Sequence, residues 1–142
     1  MAAERLDRVE VMERSLRRLI ELRPDNAHAY NALGYSLADR GLRLEEAQTL
    51  IEKALKLLPD DPHILDSLGW VLYRRGRPEE ALVPLRRAFE IRPEAEVAAH
   101  LGEVLWKLGR TAEARDIWRD ARSKEPENEI LRETLARLNV SF

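Results

Sequence analysis

Three histidines, His28, His63 and His100, and the carboxylates near them are the residues of this chain with types suited to chemistry. Imidazoles and carboxylates brought together could ligate a metal, and His100 with Glu103 shares one face of a helix on which a proton could be moved. Neither possibility gathers its remaining parts. His28 and His63 hold equivalent places in successive segments, which puts their helices about 8–10 Å apart, too far for shared ligation. No serine or cysteine nucleophile is paired with His100 and Glu103, and neither a glycine-rich phosphate loop nor an HExxH stretch occurs. The expectation is no catalytic site, no metal and no cofactor, with the three histidines solvated.

What remains is a surface suited to binding. The stretch "DSLGWVLYRRG", Asp66 to Gly76, reads as a helix with Gly69 in its interior, where glycine costs about 1 kcal/mol relative to alanine. It carries Trp70 and Tyr73 off the face on which Leu65, Leu68 and Leu72 already form a core stripe. A helix that gives up stability at its centre and adds two large aromatics on a second face needs a reason, and the elements around it supply one.

Leucine, arginine, glutamate and alanine dominate the 142 residues, which favours an all-α chain. The net charge is −2 although 35% of residues are charged, so charges of both signs coat the helices. The arginine clusters Arg17-Arg18, Arg74-Arg75-Arg77 and Arg86-Arg87 are interrupted by acids, which argues against a nucleic-acid track. No run is long and apolar enough for a membrane span, and "MAAERLDRVEVMERS" is too charged for a secretory signal. No direct membrane insertion is expected. The absence of cysteine leaves the redox compartment open.

Three segments superpose: "LGYSLADRGLRLEEAQTLIEKALKLLP", "LGWVLYRRGRPEEALVPLRRAFEIRP" and "LGEVLWKLGRTAEARDIWRDARSKEP". Gly34, Gly69 and Gly102 are 35 and 33 residues apart, and Pro59, Pro93 and Pro126 are 34 and 33 apart. Each unit reads as two helices, the first with an i, i+3, i+7 stripe such as Leu65, Leu68 and Leu72. Gly41, Gly76 and Gly109 end the first helix, Pro78 and Thr111 suit the start of the second, and the closing prolines end it. Gly34, Gly69 and Gly102 are expected to face Ala47, Ala81 and Ala114 of the paired helix, so that two small residues in register let the helices approach. Pro84, inside the second helix of the middle unit, predicts a local bend between Glu80 and Pro84.

The Leu-Gly pair, the later alanines and the closing proline at about 34 residues resemble the tetratricopeptide repeat family. Tyr30, Leu65 and Ala98 stand where that family's consensus has tryptophan, and Leu42 to Glu46 holds one residue more than the matching turns. The resemblance implies a right-handed α-solenoid of stacked hairpins across 1–142: a half repeat at 4–24, repeats at 26–59, 61–93 and 95–126, and a capping helix at 128–138. Leu6, Val9, Met12, Leu16 and Leu19 give residues 4–22 an apolar stripe that could seek cover from a second copy.

In such a stack the first helix of each pair forms the concave wall. The second stripe should line it: His28, Asn31, Tyr35, Ala38 and Asp39, then His63, Asp66, Trp70, Tyr73 and Arg74. Glu96, His100, Glu103, Trp106 and Lys107 continue it. Tyr35, Trp70, Tyr73 and Trp106 are expected to form a partly exposed aromatic ladder for a peptide or protein segment; the plainer reading is that they fill gaps between first helices. Lysines and asparagines are the residues with which related repeats grip acidic chaperone tails, and this wall would repel a carboxylate.

The stretches "NALGYSLADR", "IEKALKLLPDDPHILDSLGWVLYR" and "AAHLGEVLWKLGR" further resemble the carboxyl-terminal run of long bacterial tetratricopeptide lipoproteins at the periplasmic side of the outer membrane. Some of these are adaptors that bring a processing protease to its substrates, so the resemblance implies protein scaffolding. It implies a periplasmic location for a fragment of such a protein, and the cytoplasm for a complete chain. The competing reading is a structural or self-associating segment of a longer scaffold with no groove ligand of its own.

Overall fold

A computed structural model describes the backbone of residues 2–142 and the side chains from residue 8 onward, so Leu6 in the expected amino-terminal stripe lies outside the described side chains. Among the described residues the chain is all helix: α1 (Ala2–Leu22), α2 (Ala27–Asp39), α3 (Leu44–Leu57), α4 (Pro62–Arg74), α5 (Pro78–Ile91), α6 (Ala95–Lys107), α7 (Thr111–Lys124) and α8 (Glu129–Arg137). None is long and apolar enough to cross a membrane.

Local chemistry sets the ends of these helices. Asn26, Asp61 and Asn128 cap α2, α4 and α8 by accepting backbone N–H groups of the first turn. Gly41, Gly76 and Gly109 adopt φ of +68°, +80° and +84°, a region glycine enters without strain. Each lets the chain fold back so that the N–H of the next residue reaches a carbonyl of the last turn, as Arg77 N–H does to Leu72 at 2.9 Å. The longer turn before α3 closes by placing Arg43 in the same left-handed region, φ +46°. Thr111, expected as a cap, is instead the first residue of α7, and Arg110 holds the cap position without a side-chain bond. Helix α5 continues unbroken through Pro84, which is buried.

Helices pair as α2 with α3, α4 with α5 and α6 with α7, and the pairs stack through α2 on α4, α4 on α6, and α6 on α8. The result is a solenoid of helical hairpins. The close crossings within the pairs sit at the interior glycines; Gly34 meets Ala47 as expected, together with Ile51, but Gly69 and Gly102 meet other partners. A Cβ on Gly34 would lie 2.6 Å from Ile51 Cγ1 and 2.9 Å from the Ala47 carbonyl, whereas one on Gly69 or Gly102 would overlap Leu85 or Trp118. Ala81 and Ala114 are fully buried one turn earlier. The reason is the tilt of helical side chains toward the amino terminus, by which a long residue covers the turn before its own Cα. Leu85 and Trp118 therefore fill the space opposite the glycines, and the alanines leave room for them.

Candidate functional site: the concave face

Helices α2, α4, α6 and α8 line up side by side, so equivalent positions on them form one wall. Tyr35, Trp70, Glu103 and Arg137 are such equivalents, 35, 33 and 34 residues apart. They border a cavity of about 320 Å³ whose lining also includes Asp39, Arg74 and His100. From α8 come Ile130, Glu133 and Thr134 as well.

The wall is bonded within itself. The His100 ring lies between Asp66, which its Nδ1 meets at 2.9 and 3.0 Å, and Tyr35, whose hydroxyl is 3.4 Å from Nε2. Trp70 stacks on that imidazole with centroids 4.3 Å apart and donates its indole N–H to Asp39 at 3.2 Å. Tyr73 donates its hydroxyl to Glu103 at 3.0 Å, and the Arg137 guanidinium pairs with the same carboxylate and with Glu133.

Electrostatics follow from this crowding. Burial works against charge on His100, but the adjoining Asp66 carboxylate outweighs it and the imidazole pKa is raised. Burial also raises the Tyr35 hydroxyl, assisted by the carboxylates of Asp39, Asp66, Glu96 and Glu133. The Tyr73 hydroxyl is raised by burial and then by Glu103. Glu96, half-buried, is held above the ordinary carboxylate range first by burial and then by Asp66.

Several expectations change here. His100 is 3% exposed and is no solvated groove histidine; only His28 and His63 are exposed. The aromatic ladder is not uniformly open, because Trp70 is 5% exposed and acts partly as filling between first helices. Tyr35, Tyr73 and Trp106 are half-buried, and Trp106 packs against Trp118 of α7 at 5.5 Å between centroids, away from the cavity. Asp66 and Glu103 are buried, while Asn31 is half-buried and Arg74 and Lys107 are exposed. Of the expected residues, Tyr35, Asp39, Trp70, Arg74, His100 and Glu103 come together on the cavity. The α8 residues were absent from the expected set. The spacing of Arg137 from Glu103 was the available signal for α8. Among the described residues no group of three His, Cys, Asp or Glu side chains could hold a metal ion.

Comparison with known proteins agrees with this architecture. Two family models, both described as tetratricopeptide repeat, match residues 25–94 and 95–138. Over 103 residues, 72% of this chain, the sequence is 54% identical to the TPR repeat-containing protein PA4667 of Pseudomonas aeruginosa, and it spans only 18% of that protein's length. The structure is similar to that of TTC0263, a thermophilic TPR protein of Thermus thermophilus, with a TM-score of 0.79 at 22% identity, covering 96% of this chain and 76% of that one. It is also similar to an O-GlcNAc transferase of Thermobaculum terrenum, with a TM-score of 0.65 at 31% identity, covering 68% of this chain and 19% of that one.

Proposed function

We propose, on the premise that this chain belongs to the tetratricopeptide repeat family, that its concave face receives a peptide or protein segment along α2, α4, α6 and α8. Repeats of this family are generally protein-interaction scaffolds, and the transferase among the similar structures carries its activity as a property of that longer protein. The observation that carries the proposal is the cavity walled by four helices, with an aromatic edge at Tyr35 and exposed charges at Asp39, Arg74 and Glu133. A segment laid there would meet the Tyr35 ring beside charged and hydrogen-bonding groups, so polar contacts would fix its register while the aromatic edge supplies apolar area.

The test must spare the wall's own bonds. Trp70→Ala would remove a buried ring bonded to Asp39 and stacked on His100, so any loss of binding would be confounded with loss of structure. Exposed Arg74, changed to glutamate, reverses a rim charge and breaks none of those bonds. A partner recovered by affinity capture with the unaltered chain is expected to bind this variant about tenfold more weakly, equivalent to ~1.4 kcal/mol. Undiminished binding by a correctly folded variant would place the partner elsewhere.

A second reading is favoured by α1. Val11, Met12, Leu19 and Leu22 are exposed, and Leu22 reaches 61%. They form a face suited to another helix, from a longer scaffold or from a second copy. Leu16 is half-buried against the core, so Leu19→Glu is the cleaner probe. If self-association uses this face, sedimentation will show a concentration-dependent dimer that Leu19→Glu returns to monomer.

A further inference from the structure

The concave wall is rich in acceptors. Carboxylates reach it from all four helices: Asp39 from α2, Asp66 from α4, Glu96 and Glu103 from α6, and Glu133 from α8. The cations near the cavity are fewer, and most are engaged. His100 is held by Asp66, and Arg137 by Glu103 and Glu133, which leaves Arg74 exposed at the rim. Lys107 lies one turn beyond Glu103, outside the cavity.

Two acceptors at the other end of the wall lack donors. Glu96, in the first turn of α6, is half-buried and makes no hydrogen bond or ion pair among the described residues. Asn31, one turn before Tyr35 on α2, has a buried Oδ1 with no hydrogen-bond partner. A half-buried carboxylate loses part of its hydration and gains no protein donor in return, and an orphaned amide oxygen is costlier still. Burial and the neighbouring Asp66 already hold Glu96 toward its protonated form, while His100 and His63 pull the other way. An arriving cation would relieve that cost. A carboxylate would add to it.

We propose that the segment received by the concave face presents a lysine or arginine, whose charged head docks against Glu96 while its aliphatic stem lies along Tyr35. The exposed Arg74 and Lys107 stand toward the far ends of α4 and α6, away from Glu96 in the first turn of α6, so neither competes for the incoming basic residue's site. This inference rests on the groove reading above, because it specifies what the groove prefers.

The test uses the full chain and synthetic peptides of one length and one apolar pattern, carrying lysine, glutamine or glutamate at the remaining positions. Two readouts run together: fluorescence anisotropy for affinity, and the NMR resonance of the Trp70 indole N–H for location, since that group lies on the cavity wall. The lysine peptide is expected to bind most tightly and shift the Trp70 resonance, and Glu96→Gln should weaken it about tenfold. Glu96→Gln is nearly isosteric and removes an unpaired charge, so it keeps the fold. Glu52→Gln on the exposed side of α3 serves as the charge-matched control and should change nothing. If the glutamine or glutamate peptide binds as well and shifts Trp70, the cation preference falls and the groove stands. If the lysine peptide ignores Glu96→Gln, its binding is non-specific attraction and the preference falls too. If no peptide moves the Trp70 resonance, groove and preference fall together.

Discussion

Gly102→Ala is expected to destabilise the chain by about 3 kcal/mol, at the upper end of what overpacking a core costs. The added methyl would overlap the indole of Trp118, which is fully buried and packed against Trp106. A flat, rigid ring enclosed on both sides has no rotamer to retreat into. The gain in helix propensity, about 1 kcal/mol for alanine over glycine, is too small to offset the clash. At Gly69 the neighbour is Leu85, a flexible side chain, so the same substitution there should cost less. Urea unfolding of the two variants beside the parent chain measures the difference. Adding Trp118→Leu to Gly102→Ala should recover part of the loss, and a Gly102→Ala chain as stable as its parent would mean that the α6–α7 crossing is looser than its geometry implies.

Asp66→Ala is expected to cost about 3–5 kcal/mol, the penalty for breaking a buried ion pair and leaving one charge without its partner. His100 and Asp66 are both buried, at 3% and 4% exposure, and lie on adjacent first helices. The cost must depend on pH with a definite sign. The folded imidazole pKa lies above its ordinary value of about 6.5, so the pair's contribution is complete below that pH and is lost as pH rises through the raised value. Other charges facing the imidazole, Glu96 and Glu103, act in the same direction. Denaturant unfolding of the parent and the Asp66→Ala chain across pH should therefore show the widest gap on the acid side and a narrowing toward alkaline pH. A gap independent of pH would mean that the imidazole is neutral throughout.

Repetition made the helices readable in advance. Columns of glycine and proline at about 34 residues mark where each hairpin turns and closes, and Gly41, Gly76 and Gly109 adopt the positive φ that their placement predicts. The partners of Gly69 and Gly102 were harder to read than that of Gly34, because side-chain tilt moves the contact by a full turn, from Ala81 to Leu85 and from Ala114 to Trp118. The second stripe was read by angle alone. Angle places Trp70 and His100 on the inner wall but cannot give their exposure, which depends on how tightly successive first helices close together. That closure buries His100 against Trp70 and Tyr35. Arg137 was missed for a related reason: α8 reads as a polar terminal cap until its register with Glu103 is followed across the repeat boundary.

The approach of Tyr35 to His100, 65 positions along the chain, reaches past α4 and ties a hairpin to the next but one. Stacks in which each layer touches only its immediate neighbours can melt from either extremity, one layer at a time. A tie that skips a layer opposes that freedom, because losing either outer layer also forfeits the tie to the other. The middle of this array should consequently come apart more nearly as one cooperative block, and its inner curvature should yield less to an arriving segment than that of a stack tied only between neighbours.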